Sequence, residues 1–381
     1  MEIHEVKLGD VAAVKGGKRL PKGINLITKP NTHPYIRVRD LNGKRTLELD
    51  SSFEFVDDET QKTISRYIVN DGDIVLSIVG TIGLVAIVGK SLNEANLTEN
   101  CVKLTSLSGV DRDFLYYFLK SSYGQQEITR GTVGAVQAKL PIKNIQDITI
   151  PLPDELTQSK IAAVLSSLDT KIETNQKIND NLQQQVYALF DSWFVSFDQA
   201  DGKMPADWRE GTLGEITTIT SGKRPPMKQP TATTEVSIPL VGAASIMGFT
   251  NAVLYNEPIL VTGRVGTHGV VQRFQSPCWT SDNTLVIKSE FYEYAFQALQ
   301  RVDYVNMNRG STQPLITQTD LKNVSIVIPT EAILLEYEKI AGTLMAMYES
   351  NRKENERLAV LRDTLLPRLM NGEIDVSNIE I

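Results

Sequence analysis

One pattern limits this chain more than any other: its second half repeats its first. The segment LGDVAAVKGGKR (Leu8–Arg19) returns as LGEITTITSGKR (Leu213–Arg224), 205 residues later. VGTIG (Val79–Gly83) returns as VGTHG (Val265–Gly269) at a shift of 186. RGTVGAVQAKLPIKNI (Arg130–Ile145) is answered by RGSTQPLITQTDLKNV (Arg309–Val324) at a shift of 179. Each copy then leaves through a β-rich run into proline, DITIPLP (Asp147–Pro153) and VSIVIP (Val324–Pro329). A repeat this long means two copies of one domain type rather than a solenoid of short units. The shrinking shift makes the first copy 26 residues longer, as surface-loop insertions do.

After each proline comes a helical pattern. From Thr157 to Trp193 apolar residues recur at steps of three and four: Ile161, Leu165, Leu168, Ile172, Leu182, Val186, Leu189 and Trp193. Asn175 and Asn179 occupy the two missing seam positions. The second run reads Ile340, Leu344, Met347, Asn351, Glu354, Leu358, Leu361 and Leu365, and is expected to stop at Leu366-Pro367. Polar residues at the centre of a seam fix register and partner choice. Ordinary bundle helices would also fit, but the duplication favours two helices of about 45–55 Å pairing antiparallel as a spacer. The nuclease-like pattern Pro153-Asp154 with Asp169-Thr170-Lys171 falls in this region. Asp169 and Lys171 are expected on the outer helix face, where they cannot form a hairpin Mg²⁺ site.

The blocks preceding the helices alternate Val/Ile runs with Gly, Asn and Asp turns. Strands are expected at 73–79, 84–88, 101–104, 237–241, 259–261, 270–272 and 283–287, with short helices at 113–121 and 292–300. The fold class is α+β. The GTIG and GTHG segments read as tight strand connections, with direct nucleic-acid contact as the alternative.

Basic residues are the candidate functional groups. Lys18-Arg19 and Lys223-Arg224 occupy the same place in both copies, just after the first strand. Arg37 and Arg39 are expected to alternate on one strand face, followed by Lys44-Arg45. Lys228, Arg264 and Arg273 lie in comparable turns of the second copy, and Arg130 and Arg309 open the shared RG(T/S) segment. Such residues neutralise phosphates, and arginine also grips guanine; Gln137 and Gln313 could pair with adenine through a bidentate amide. Any single one of them reads more readily as a solvated surface residue, and it is the repeated pairs that favour a functional role.

Composition excludes other classes. Net charge is −7, but it is unevenly spread: +1 over 1–150, −3 over 151–197, −1 over 198–329 and −4 over 330–381. The acid sits mainly in the helical segments, although the overall sign argues against tight nucleic-acid binding by the chain alone. No run approaches the ~18 apolar residues of a membrane span, and Met1–Gly9 has no signal-peptide core. Cys101 and Cys278 are the only cysteines, which suits a reducing cytoplasm. With only His4, His33 and His268, no zinc site is expected. There is no phosphate loop, no methyltransferase tetrapeptide or cofactor loop, and no nucleophile–base–acid set.

The order block, helix, block, helix, carried by the repeated segments above with SKIAAVLSSLDTKIETN (Ser159–Asn175) and LRDTLLPRLMNGEI (Leu361–Ile374), resembles the specificity subunits of type I restriction–modification systems. The resemblance covers essentially the whole chain. It implies target-recognition domains at 1–153 and 198–329, with helical spacers at 154–197 and 330–381 forming an antiparallel coiled coil. It further implies a non-catalytic chain that reads a bipartite double-stranded DNA target, its half-sites about one to one and a half turns apart. Two methyltransferase subunits would dock on the helices, with restriction motor subunits beyond them. S-adenosylmethionine, ATP and Mg would be bound by those partners, and no cofactor by this chain. A helical adaptor that binds no DNA is the alternative.

Overall fold

The structure is a computed structural model and describes residues 3–41, 43–134, 136–265, 269–307 and 315–379. The chain divides into two compact units, Met1–Asn175 with Lys353–Ile381, and Gln176–Arg352. Each unit holds one β-rich block and part of each long helix, Glu155–Phe194 and Glu331–Met370.

In the first unit a five-stranded sheet runs in the order Ala13–Gly16, Cys101–Thr105, Ile74–Ser77, Val85–Val88, Thr46–Leu47. Its central strands are continuous apolar runs because both faces are covered. Ile74, Leu76, Val85 and Ile87 face the helix Arg112–Lys120, in a core with Phe114, Leu115 and Phe118. The alternate residues Val75, Ala86 and Val88 pack with Ile36 and Leu97 of a smaller sheet, Glu54–Phe55, Pro34–Ile36, Asn96–Leu97. A ribbon of Ile3–Lys7 against Thr149–Pro153 carries the chain out to the first long helix.

The second unit repeats this plan. Its main sheet is Thr218–Ser221, Thr284–Lys288, Ile259–Gly263, Gln272–Phe274, and its smaller sheet Ile246–Thr250, Ile238–Val241, Trp279–Thr280. Leu260, Leu285 and Ile287 face the helix Tyr292–Gln300, while Ile259, Val261 and Val286 face the smaller sheet. The exit ribbon is Arg209–Thr212 against Ser325–Ile328. Leu8 donates to the Ile148 carbonyl in one unit and Leu213 to the Val324 carbonyl in the other, both at 2.9 Å. The copies therefore leave their blocks at a shift of 176, not the 179 of an ungapped alignment, because three residues are missing from the RG(T/S) segment of the second copy. At that shift both long helices begin at the same place and are 40 residues long.

The helices run antiparallel within each unit. In the first, Arg362 meets Asp169 at 2.6 Å and Asn175 donates to Asn355 at 2.8 Å. In the second, Asn351 donates to Asn179 at 3.0 Å, and Phe190 packs edge-on against Tyr337 with ring centroids 6.0 Å apart. At the shift of 176, Asn175 corresponds to Asn351 and Asn179 to Asn355, so each unit contains the same asparagine pair.

Three expectations for the helices fail. The seam of the second helix is displaced: Leu334, Tyr337, Ala341 and Met345 are buried, while Ile340, Met347 and Leu361 are 38%, 51% and 45% exposed. A small alanine and a phenol hold the seam, and neither stands out in an apolar count. The helix also continues through Pro367 to Met370. Proline in the last turn removes only one helical bond, and Leu366, Leu369 and Met370 are buried in the first core. Asp169 is not on the outer face; it accepts hydrogen bonds from the Tyr117 hydroxyl at 2.7 Å and from Arg362.

Glu338 ties the second helix to the block of its unit, accepting the backbone N–H groups of Glu293 and Tyr294 at 3.0 and 2.8 Å. Burial pushes its carboxyl up to about 7, against those two favourable bonds. Among the described residues no helix is long and apolar enough to cross a membrane.

Candidate nucleic-acid interface

Strand register brings several loops to one end of the main sheet in each unit. In the first unit Gly16 pairs with Val102 and Ser77 with Cys101, so the chain after Gly16, after Ser77 and before Cys101 emerges at the same end. Gly17 donates to the Cys101 carbonyl and Lys18 to the Leu97 carbonyl. The crossing is so close that a Cβ on Gly17 would lie 2.1 Å from the Thr98 carbonyl oxygen. Gly222 meets Ser281 in the same way at 2.1 Å, with Lys223 donating to the Thr280 carbonyl. The repeated Gly-Lys-Arg is thus a backbone crossing that launches two basic side chains outward.

All four of those side chains are exposed. Lys18 lies over the Tyr67 ring, its ammonium 5.6 Å from the centroid. Arg19 is 79% exposed and pairs with Glu99. That pairing, first through the hydrogen bond and then through charge, raises the guanidinium pKa further. Two further repeated triplets, outside the repeated segments quoted above, line the same crossing: Thr98-Glu99-Asn100 and Ser281-Asp282-Asn283. Asn100 accepts from Ile78, and Asn283 from Arg264, through their backbones at 2.8 Å.

VGTIG forms the turn between paired strands Ile74–Ser77 and Val85–Val88, with Gly80 and Gly83 at positive φ. A second hairpin, Val133–Lys139, reaches the same end. Leu140 donates to the Ile78 carbonyl at 3.0 Å and Lys139 bridges to Val79. The second unit repeats the join, Ile316 donating to the Arg264 carbonyl at 3.0 Å and Val265 bridging to Leu315. Gln137 lies exposed on the Val133–Lys139 hairpin, and Arg130 stands at its base, 75% exposed and 2.6 Å from Glu127. Residues 266–268 of VGTHG, Arg309 and Gln313 lie outside the described residues.

The other candidates separate into surface and core. Lys44 is exposed, and Lys228 is exposed alongside the edge strand of the smaller sheet, next to Gln229, which pairs with Phe249. Arg264 is half-buried at the crossing. Arg37 and Arg39 do not share a strand face. The strand ends at Ile36 and Val38–Asp40 is a 3₁₀ turn, with the Asp40 carboxylate accepting from the Arg37 backbone at 2.8 Å. Glu54 binds both arginines, and only Arg39, 61% exposed, reaches solvent freely.

Arg45 and Arg273 are committed to ion pairs, their side chains largely covered. Arg45 hydrogen-bonds Asp113 on the helix Arg112–Lys120. Arg273 grips Glu293 with both terminal nitrogens, on the helix Tyr292–Gln300, and lies 4.6 Å from the Phe296 ring centroid. Each ion pair pins the main sheet to its covering helix. The nuclease-like residues are likewise committed. Asp154 caps the first long helix at Thr157, Asp169 is buried as described, and Lys171 pairs with Glu354 at 3.5 Å.

Comparison with known proteins identifies the family of the chain. Residues 2–184 and 205–362 match the family described as type I restriction modification DNA specificity domain. The chain is 24% identical to the MjaIX specificity subunit of Methanocaldococcus jannaschii over 98% of this chain and 94% of that one. It is 23% identical to the HindI specificity subunit of Haemophilus influenzae over 62% of this chain and 71% of that one. Its fold is similar to the crystal structure of the type I restriction–modification S subunit from M. genitalium. The TM-score is 0.62 at 20% identity, covering 97% of this chain and 96% of that one. Two matched domains spanning most of the sequence, on a duplicated fold, make this chain a member of the type I restriction–modification DNA specificity family.

Proposed function

We propose that this chain is the DNA-recognition subunit of a type I restriction–modification complex, and that each unit reads one half of a bipartite target through the loops at its sheet end. One observation carries the reading: in both units an exposed Lys-Arg pair leaves a glycine crossing at the sheet end where a further segment is joined to the main sheet, Leu140 to the Ile78 carbonyl in one and Ile316 to the Arg264 carbonyl in the other. Phosphates are held by Lys18, Arg19, Lys223 and Arg224, which positions the duplex without selecting its sequence. Bases are read by the loop tips.

The paired helices separate the half-sites and dock two methyltransferase subunits, with restriction subunits joining through them. Choice of sequence is this chain's contribution in the cytoplasm. Methyl transfer and cleavage, with S-adenosylmethionine, ATP and Mg, belong to the partners. The net charge of −7 fits a subunit that holds DNA firmly only inside that assembly.

Co-expression with a methyltransferase subunit followed by methylome sequencing tests the function. A bipartite adenine-methylated motif with a fixed gap, present only with this chain, is the expected result. A stable, cofactor-loaded complex that methylates nothing would favour the adaptor reading instead.

A further inference from the structure

Among the described residues no large apolar side chain is more exposed than Val136, at 102%. Its surroundings are built rather than loose. Val133 and Lys139 exchange both backbone hydrogen bonds at 2.9 Å, and the hairpin is tied to the neighbouring loop through Ile78 and Val79. Gly134 takes φ +99°, and the Gln137 carbonyl oxygen lies only 2.6 Å from where a Cβ would stand, so the turn is closed tightly over glycine. Next to Val136, the Gln137 side chain is exposed, and its amide has no hydrogen-bond partner among the described residues. A hairpin fixed at its base by the Val133–Lys139 pair thus presents one bare apolar group and one unpaired amide.

We infer that Val136 and Gln137 read an A·T base pair in the half-site held by the first unit, an inference that rests on the DNA-reading function proposed above. The chemistry selects this pair. A glutamine amide offers one acceptor and a donor side by side, which matches adenine N6–H and N7 in the major groove. Guanine shows two acceptors there and leaves the amide oxygen unpaired. The thymine methyl is the apolar group that a major-groove edge offers Val136, and cytosine lacks it. Exposed Lys139 and Arg130 flank the hairpin for phosphate contact. At the shift of 176 the counterparts are Thr312 and Gln313, outside the described residues, so the inference concerns the first unit alone.

Methylomes from cells co-expressing the methyltransferase subunit with the full wild-type chain, Gln137→Ala or Val136→Ser decide it. Co-purification of each variant with its partner serves as the folding check. The expected result is that one A·T position of the wild-type motif loses its preference by roughly tenfold or more, while every other position and the gap are unchanged. Variant motifs identical to wild type would overturn the inference and leave the general DNA-reading function standing. So would relaxation at a G·C position, or uniform loss of methylation with the complex intact. A wild-type chain that yields no bipartite motif would overturn that function and the inference with it.

Discussion

Arg273→Ala is expected to destabilise the second unit by about 3–5 kcal/mol, the usual cost of stripping one partner from a buried ion pair. The side chains of Arg273 and Glu293 are 8% and 5% exposed, so Glu293 would be left buried without its cation. The guanidinium also lies near the Tyr292 and Phe296 rings, 5.0 and 4.6 Å from their centroids, and those contacts disappear with it. Arg224→Ala, at an exposed position, is expected to change stability by no more than about 0.5 kcal/mol. Urea unfolding of the two variants measures the contrast. Unchanged stability in Arg273→Ala, with DNA binding lost, would return Arg273 to the DNA surface.

Replacing Lys18, Arg19, Lys223 and Arg224 together by alanine is expected to produce the largest loss of DNA binding. Each phosphate neutralised by a cation releases counterions, contributing about 0.9 to the slope of log affinity against log salt. Four contacts removed would flatten the slope by roughly 3 to 4, the lower figure applying because Arg19 must first leave Glu99. Affinity should drop at least about tenfold near physiological salt by the same effect. Assembly with the methyltransferase should persist, because these side chains project from backbone crossings and support no core. Binding titrations of the assembled complex at several salt concentrations give both numbers. An unchanged slope would remove these residues from the interface.

Much of this architecture is legible in the residue pattern, because duplication supplies an internal comparison. Leu-Gly…Gly-Lys-Arg recurs since Gly17 and Gly222 must each let the backbone pass within van der Waals contact of a carbonyl. The helix Tyr292–Gln300 lies at the expected position, and Arg112–Lys120 begins one residue early. What stays hidden depends on partners distant in sequence. Nothing near Arg45 or Arg273 announces Asp113, 68 residues away, or Glu293, 20 away, so both read as candidate DNA-contacting cations.

Asp169 misleads for a related reason. A heptad count assumes a helix with one neighbour, whereas the first long helix packs against both its partner helix and the helix Arg112–Lys120, widening its buried face. In the second helix, Tyr337 and Ala341 occupy the true seam while the more conspicuous Ile340 and Met347 face solvent. An ungapped alignment likewise conceals the three-residue loss that sets the shift to 176.

Photocrosslinking of the assembled complex to DNA carrying photoreactive bases, with the crosslinked peptides identified by mass spectrometry, tests the placement of the interface most directly. Crosslinks are expected in residues 17–24, 79–83 and 133–139 of the first unit, and in 222–228 and 264–271 of the second. Crosslinks confined to the long helices, or to the opposite sheet ends around Thr105 and Lys288, would contradict it.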